Sequence, residues 1–368
     1  MFQIRLVHLS KSIRTSNLNA LALNPSPSLV YLTGLHFHLM ERPTVAFFTA
    51  DSAPVIVLPE LEMLKLRGLP FEIKAFPYRE NPAEWDNVFR EAGQSLGLQG
   101  KRIGVEPLHM RILEFNKVKA IADQTECPDS TQVVGSLRIC KDADEITAMR
   151  KAVRVAQAAL EATLPSVKIG VTEKEIAAEL VIQLLRGGSQ SEMPFAPIVS
   201  SGPNSANPHA SPSDRKLRPG DLLVVDWGAT VDGYISDLTR TFAVGKVAEE
   251  YRKIHQVVLE ANAAGRAAAQ PGVPCANVDI AARTVIEKAG YGQHFTHRTG
   301  HGIGLEPHED PYIRSDNTQL LEPGMTFTVE PGIYLPGQNG VRIEDDVLIT
   351  EDGAECLSDM PRELRVVG

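Results

Sequence analysis

Residues 222–242 read LLVVDWGATVDGYISDLTRTF, and the organisation of the second half of the chain follows from them. Apolar residues lead into Asp226, Asp232-Gly233 is a turn signal, and an alternating β-branched and aromatic run then carries Asp237. The stretch predicts a β-hairpin in which Asp226 and Asp237 lie opposite or diagonal to each other on one face. Two carboxylates this close repel each other unless a cation lies between them, so the hairpin predicts a metal site.

A second pair of acidic residues follows in two further predicted strands. Residues 325–334 and 341–349 have strand-like patterns and carry Glu330 and Glu344. Each glutamate comes 104 to 107 residues after one aspartate of the first pair, and each hairpin is preceded by two predicted helices. Residues 142–368 therefore predict a duplicated helix–helix–hairpin unit in which each half offers one carboxylate pair.

The first two of these helices have clear start signals. Asp142 with Glu145, and Thr172 with Glu175, have the spacing of capping boxes ahead of amphipathic runs. Upstream of them, residues 1–138 alternate short apolar runs with polar helical stretches and contain no catalytic constellation. We therefore expect a smaller α/β domain over residues 1–138 and a second domain over residues 139–368.

Bulk properties exclude several classes of function. The formal net charge of −9 disfavours nucleic acid and anionic membranes as partners, because phosphate binding needs a basic surface. The four cysteines are far apart, which predicts neither a disulfide framework nor a thiolate metal site. Without an apolar run near the ~18 residues of a membrane span or a signal-peptide pattern, the chain is expected to be cytoplasmic.

Histidines in polar or glycine-flanked segments complete the candidate metal set. His301 lies in GHGIG at residues 300–304, where small neighbours allow close approach of backbone and substrate. His209, in the polar loop 200–211, and His308 are further candidates. Oxygen ligands with one imidazole favour manganese, with cobalt, iron or zinc as other possibilities. Two such ions activate a shared water and polarise a carbonyl, which predicts hydrolysis.

Four segments together resemble one metallopeptidase family: DWGATVDGYISDLTRTF, HRTGHGIGLEPHEDPYI, MTFTVEPGIY and GVRIEDDVLIT. The family contains Xaa-Pro dipeptidases (prolidases), aminopeptidase P and methionine aminopeptidases. An additional N-terminal domain is similar to the proline-specific branch, because methionine aminopeptidases lack it. The resemblance implies an α+β chain in which a creatinase-like α/β domain precedes a pita-bread catalytic domain with pseudo-two-fold repeats, and it implies a homodimer.

The resemblance also implies a role for each candidate residue. Five residues match the family's ligands for two divalent ions: Asp226, Asp237, His301, Glu330 and Glu344. Asp237 and Glu344 match the bridging ligands, and Glu330 also matches the proton shuttle. His209 and His308 match histidines that contact substrate and stabilise the tetrahedral intermediate, whereas Arg342 matches an arginine that orients acidic ligands.

One position departs from the archaeal-type prolidases that the chain otherwise resembles. They carry an arginine after the proline of the HEDPYI segment, where it holds the free carboxylate of a dipeptide. This chain has Tyr312 at that place, and Tyr312 and the nearby Arg314 are predicted to bind substrate. The departure leaves cleavage of Xaa-Pro from longer peptides open.

The expected function is that of a dinuclear metal-dependent Xaa-Pro dipeptidase that cleaves the bond before proline through a metal-bridging hydroxide. The alternative is an Xaa-Pro aminopeptidase acting on longer proline-containing peptides. Further alternatives are a creatinase-like hydrolase that needs no metal and a non-catalytic protein-binding module on the same fold. The five intact ligands disfavour both of these further alternatives.

Overall fold

The structure, a computed structural model, describes residues 1–122 and 124–368. Two compact units divide the chain, Met1–Arg138 and Ile139–Gly368. Among the described residues, no helix combines the length and the apolar character needed to cross a membrane.

The first unit is a mixed five-stranded sheet flanked by helices. Its helices are α1 (Phe2–Thr15), α2 (Pro27–Thr33), α3 (Pro82–Ser95), α4 (Ile112–Lys119) and α5 (Thr131–Arg138). Its strands are β1 (Ala20–Leu23), β2 (Val45–Phe48), β3 (Val55–Pro59), β4 (Lys74–Tyr78) and β5 (Ile103–Gly104), in the order β4-β3-β2-β1-β5. Trp85 and Phe89 of α3 are buried in a core with Phe47 of the sheet, which explains the apolar runs in this part of the sequence.

The second unit contains two helix pairs, each followed by a sheet. Its helices are α6 (Ala143–Thr163), α7 (Glu173–Arg186), α8 (Glu249–Ala268) and α9 (Cys275–Lys288). The first sheet and its extension contain β6 (Ile198–Ser201), β7 (Leu222–Trp227), β8 (Thr230–Val231), β9 (Tyr234–Ile235) and β10 (Leu238–Val244). The remaining strands are β11 (Gly300–Gly302), β12 (Glu309–Ile313), β13 (Thr326–Val329), β14 (Gly332–Tyr334), β15 (Gly340–Arg342), β16 (Asp345–Thr350), β17 (Gly353–Cys356) and β18 (Arg365–Val367). The larger sheets have the orders β18-β10-β7-β6 and β12-β11-β13-β16-β17.

Both predicted capping boxes are present at the starts of α6 and α7. At α6, the Asp142 side chain accepts the Glu145 backbone N–H while the Glu145 carboxylate accepts the Asp142 N–H at 2.8 Å. The buried stripe of α6 packs on the sheet, where the Trp227 indole N–H donates to the Ala156 carbonyl at 2.8 Å. Helix α6 and strand β7, which carries Asp226, thereby belong to one core.

The first predicted hairpin is present but is interrupted in the middle. Asp232 and Gly233 both have positive φ, 52° and 81°, as the predicted tight turn requires. β7 and β10 pair with Asp226 opposite Thr239, which leaves Asp237 diagonal to Asp226 and just before β10. The ladder breaks at Gly228, where an added Cβ would be 2.0 Å from the Ser236 carbonyl oxygen.

The second predicted hairpin is interrupted in the same way, so the expected continuous strands 325–334 and 341–349 are each two short strands. β13/β16 and β14/β15 keep one register on both sides of the break, which puts Glu330 across from Glu344. Pro331 lies at the break and has no N–H to donate to a ladder. Glu330 and Glu344 therefore lie opposite each other, in irregular backbone between the two pairs of strands.

Helix α8 contains a histidine that makes stability depend on pH. His255 is 3% exposed, and its Nε2 has no hydrogen-bond partner among the described residues. Burial lowers the pKa of His255 from its ordinary value of 6.5 to about 4, and the charge of Glu363 only partly opposes this shift. Between these two pH values the unfolded chain binds a proton that the folded chain excludes.

We therefore expect His255 to reduce the free energy of unfolding as pH falls from 6.5 towards 4, by about 2 kcal/mol at pH 5. Urea unfolding of the wild type and of His255→Leu, at pH 7 and pH 5, measures this contribution. The wild type should lose about 2 kcal/mol more than the variant between these conditions, since other titrating groups are common to both. Equal losses in both proteins would contradict a neutral, buried His255.

Candidate active site

A cleft of about 630 Å³ in the second unit collects nearly all of the predicted site residues. The predicted residues that line it are Asp226, Asp237, His301, Glu330, Glu344, His209, His308, Arg314 and Arg342. Tyr312 is not among the described residues of the lining, and its ring lies 4.6 Å below the guanidinium of Arg298. The prediction that Tyr312 binds substrate therefore stays a prediction, and its ring contacts a residue that lines the cleft.

Acidic side chains and one imidazole converge at the base of this cleft. Ligand atoms of Asp237, His301 and Glu344 all lie within 4.8 Å of one another, and the three residues are buried. The Nε2 atom of His301 is 3.8 Å from a carboxylate oxygen of Asp237 and 3.4 Å from one of Glu330. The two hairpins and β11 thus supply one cluster.

Thr239 connects the two hairpins at the cluster. Its hydroxyl donates to the Glu344 carboxylate at 2.6 Å, and its carbonyl accepts the Glu344 backbone N–H at 3.1 Å. Because Thr239 also lies opposite Asp226 in the β7–β10 ladder, one residue sets the spacing between the acidic groups of both halves.

The cluster is electrostatically unfavourable without a cation. Burial raises the pKa of Asp237 well above its ordinary value, and the neighbouring carboxylates Glu344 and Asp226 raise it further. Burial likewise raises the pKa of Glu330 to about 8 and that of Glu344 well above the usual range. Burial lowers the pKa of His301, so its imidazole is neutral and can donate a lone pair to a metal.

The donor set fits divalent cations. Besides the converging atoms, Oδ1 of Asp226 is buried and has no hydrogen-bond partner among the described residues, although its other oxygen is paired. A buried carboxylate oxygen without a partner is costly unless it coordinates an ion. The fold thus places four carboxylates and one neutral imidazole, the hard-oxygen and nitrogen donors that divalent metals prefer, in one cleft.

An arginine holds Asp226 in this arrangement. Arg342 lies on β15, and its Nη2 donates to the Asp226 carboxylate at 2.5 Å. The same guanidinium donates to the hydroxyls of Tyr334 at 3.0 Å and Thr239 at 3.1 Å. Arg342 is buried, so these contacts compensate its charge and fix which oxygen of Asp226 faces the cluster.

Glycines next to His301 allow β11 to pack closely against its neighbours. A Cβ added to Gly300 would be 1.8 Å from the Thr328 carbonyl oxygen, and one added to Gly302 would be 2.2 Å from the Asp310 carbonyl oxygen. Substitution of either residue would displace β11. The glycine-flanked histidine of the sequence is therefore explained by close approach of backbone, as expected.

The two further histidines lie at the mouth of the cleft. His209 and His308 are exposed, and the His308 ring centre is 4.1 Å from that of His301. Burial lowers the pKa of His308, and the charge of Arg298 lowers it further. Both side chains line the cleft, where they can hydrogen-bond a bound substrate.

Two functional candidates beside His301 were not identified from the sequence. His297 and Arg298 line the cleft, and Nε2 of His297 is 2.9 Å from the Tyr334 hydroxyl, which Arg342 also contacts. Burial lowers the pKa of His297 to about 4, so it is a neutral hydrogen-bonding group. Both residues begin the HRTGHG run, so their position in that motif was the available signal.

This donor set at the base of a cleft defines a metal-dependent hydrolase. The chain belongs to metallopeptidase family M24, whose model matches residues 147–351, and residues 5–140 match the creatinase/prolidase N-terminal domain. It is an enzyme of the metallopeptidase class, and the expected pita-bread fold is confirmed.

Solved structures similar to this chain cover almost its whole length. A prolidase from Thermococcus sibiricus is 34% identical with a TM-score of 0.94, covering 100% of this chain and 99% of the other. The dipeptidase PepE from Mycobacterium ulcerans is 35% identical with a TM-score of 0.91, covering 100% and 98%. An Xaa-Pro dipeptidase from Bacillus anthracis is 31% identical with a TM-score of 0.90, covering 100% of both chains.

Proposed function

We propose that this metallopeptidase is a dinuclear metal-dependent Xaa-Pro dipeptidase, a prolidase, which hydrolyses the bond before a C-terminal proline. The convergence of four carboxylates and a neutral imidazole in one cleft carries the proposal. The names of similar proteins, which include dipeptidases and prolidases, support the substrate class.

We assign the metal ligands as in the sequence-based expectation: Asp226, Asp237, His301, Glu330 and Glu344. Asp237 and Glu344 would contact both ions, because their ligand atoms lie within 4.8 Å of each other and of His301. When bound, two divalent cations supply an activated water near neutral pH and polarise the substrate carbonyl.

The protein's own side chains then bind the substrate and move the proton. Glu330 lines the cleft, with a carboxylate oxygen 3.4 Å from Nε2 of His301, so we assign it the transfer of a proton towards the leaving nitrogen. His209 and His308, at the mouth, are positioned to hydrogen-bond the substrate and stabilise charge on the attacked carbonyl oxygen. Arg342 keeps Asp226 oriented through its 2.5 Å contact.

Several finer assignments belong to this proposal. We assign manganese as the native metal because hard oxygen donors predominate. A creatinase-like domain over residues 1–138 and a catalytic domain over residues 139–368 are supported by the two compact units. A cytoplasmic homodimer acting on proline-containing peptides, with no nucleic acid as partner, completes the proposal.

A panel of peptides with added Mn²⁺ tests the proposed function. We expect Ala-Pro to be cleaved with a kcat/KM at least about 10-fold above those for Ala-Ala and Ala-Pro-Ala, since loss of either proline or the terminal carboxylate removes specific contacts. Exclusive cleavage of the tripeptide would instead support an aminopeptidase. No hydrolysis of any proline peptide would support a binding module, and full activity in chelator would support a metal-independent hydrolase.

A further inference from the structure

We propose that Arg298 binds the free carboxylate of the substrate's C-terminal residue and thereby restricts the enzyme to dipeptides. This inference rests on the proposed Xaa-Pro dipeptidase function and assigns the group that recognises the end of the substrate. Arg298 lines the cleft, and its guanidinium lies over the ring of Tyr312 at 4.6 Å. Tyr312 thus packs against the side chain of Arg298, which lies two residues before β11.

Charge distribution in the cleft favours Arg298 over the other cationic candidates. Three arginines line the cleft, and Arg342 is buried with its charge paired to Asp226. The side chain of Arg314 is 58% exposed and pairs with Asp316 at 3.1 Å. Arg298 makes no ion pair with any acid among the described residues, so its charge is available to a ligand.

The position of Arg298 relative to the reacting groups suits the end of a dipeptide. Glu330 donates its backbone N–H to the Thr299 carbonyl at 2.7 Å, so the residue after Arg298 contacts the residue proposed to transfer the proton. His308 and Arg298 both line the cleft. Arg298 therefore lines the same cleft as the proposed metal ligands and is one residue along the chain from the backbone contact to Glu330.

The backbone around Arg298 is held rigidly by an ion pair behind it. Arg283 of α9 donates to the carbonyl oxygens of Phe295 at 3.1 Å and His297 at 2.8 Å. Asp279 pairs with Arg283 at 3.0 Å and accepts the Thr299 backbone N–H at 2.9 Å. Segment 295–299 is thus fixed at both ends, which is the preorganisation that a substrate anchor requires.

A guanidinium on an aromatic face is well suited to this task. The guanidinium carbon of Arg298 lies over the Tyr312 ring at 4.6 Å, and its N–H groups have no ion-pair partner among the described residues. Those N–H groups match the two oxygens of a carboxylate in a bidentate contact. A third residue on the substrate replaces the carboxylate by a neutral amide, so the charge-assisted bonds are lost and binding favours dipeptides.

The test compares Ala-Pro with its amide, Ala-Pro-NH₂, which lacks the terminal charge. For Arg298→Met we expect kcat/KM for Ala-Pro to fall about 10²-fold, mainly through KM, because charge-assisted hydrogen bonds are lost. For the amide we expect a change of less than about threefold, since it makes no charged contact. Arg298→Lys keeps a positive charge without the planar fork and should recover part of the preference for Ala-Pro.

Arg252→Met provides a matched control, because Arg252 is an exposed arginine of α8 outside the cleft. Its ratio of kcat/KM for Ala-Pro to that for the amide should equal the wild-type ratio. Thermal unfolding and bound Mn²⁺ are measured for every variant, so that a folding defect is recognised and Arg298→Lys then decides the outcome.

Two results would overturn the role of Arg298 while leaving the proposed function intact. One is an equal loss on both substrates in well-folded, metal-loaded Arg298→Met and Arg298→Lys. The other is a loss of the preference for Ala-Pro in Arg314→Met but not in Arg298→Met. If the wild type cleaves neither substrate, the proposed function and the role of Arg298 both fail.

Discussion

Replacing Glu330 by glutamine is expected to lower kcat for Ala-Pro by about 10²- to 10⁴-fold, the usual contribution of a positioned proton-transfer group. Glu330 is 3.4 Å from Nε2 of His301 and projects into the cleft from the break between β13 and β14. Glutamine keeps the size and one carbonyl oxygen that can ligate a metal, but it cannot accept and return a proton. Steady-state kinetics at saturating Mn²⁺ measure the change.

Metal content has to be determined with the kinetics, because Glu330 is also a proposed ligand. Glu322→Gln makes the same chemical change at an exposed position near β13 and should leave kcat unchanged. A Glu330→Gln enzyme that binds the wild-type amount of metal and turns over at near-normal rate would rule out Glu330 as the proton shuttle.

The second large effect is expected for Asp237→Asn, which should bind at most one ion per chain. Asp237 is 6% exposed and lies between both hairpins, with ligand atoms of His301 and Glu344 within 4.8 Å. Loss of one cation removes several kcal/mol of transition-state stabilisation, so kcat/KM should fall by about 10³-fold. Mn²⁺ titration followed by calorimetry, together with kinetics, measures both consequences.

The same substitution should make the metal-free protein more stable. Burial and the nearby acids Glu344 and Asp226 raise the pKa of Asp237, so its charge is unfavourable without a cation. The melting temperature of Asp237→Asn should therefore rise in chelator and respond less to Mn²⁺ than that of the wild type.

Asp232→Asn is the control for this change, since it lies at the exposed turn of the same hairpin and asparagine tolerates its φ of 52°. It should resemble the wild type in chelator and in Mn²⁺. Two bound ions and unchanged activity in Asp237→Asn would contradict its assignment as a bridging ligand.

Local signals in the sequence were sufficient for much of the fold. The capping boxes at Asp142 and Thr172 and the turn at Asp232-Gly233 are confirmed, because each depends on side chains within four residues of one another. The recurrence of acidic residues in two predicted hairpins also indicated that these residues lie together. In the structure they line one cleft.

The details that the sequence did not predict depend on contacts between distant segments. The breaks in both hairpins follow from the close approach of Gly228 to Ser236 and from Pro331, whose effects an alternating pattern does not show. Likewise, the sequence did not predict that the guanidinium of Arg298 lies over the ring of Tyr312. This contact joins Arg298, just before β11, to Tyr312 of β12. The pairing of these two strands cannot be predicted from local periodicity.

The most direct test of a dinuclear Xaa-Pro dipeptidase is the rate of Ala-Pro hydrolysis while metal-free protein is titrated with Mn²⁺. The four converging carboxylates predict that the rate per chain rises with added Mn²⁺ and reaches its plateau at about two equivalents. Full activity in the presence of chelator, or a plateau at one equivalent, would contradict the account.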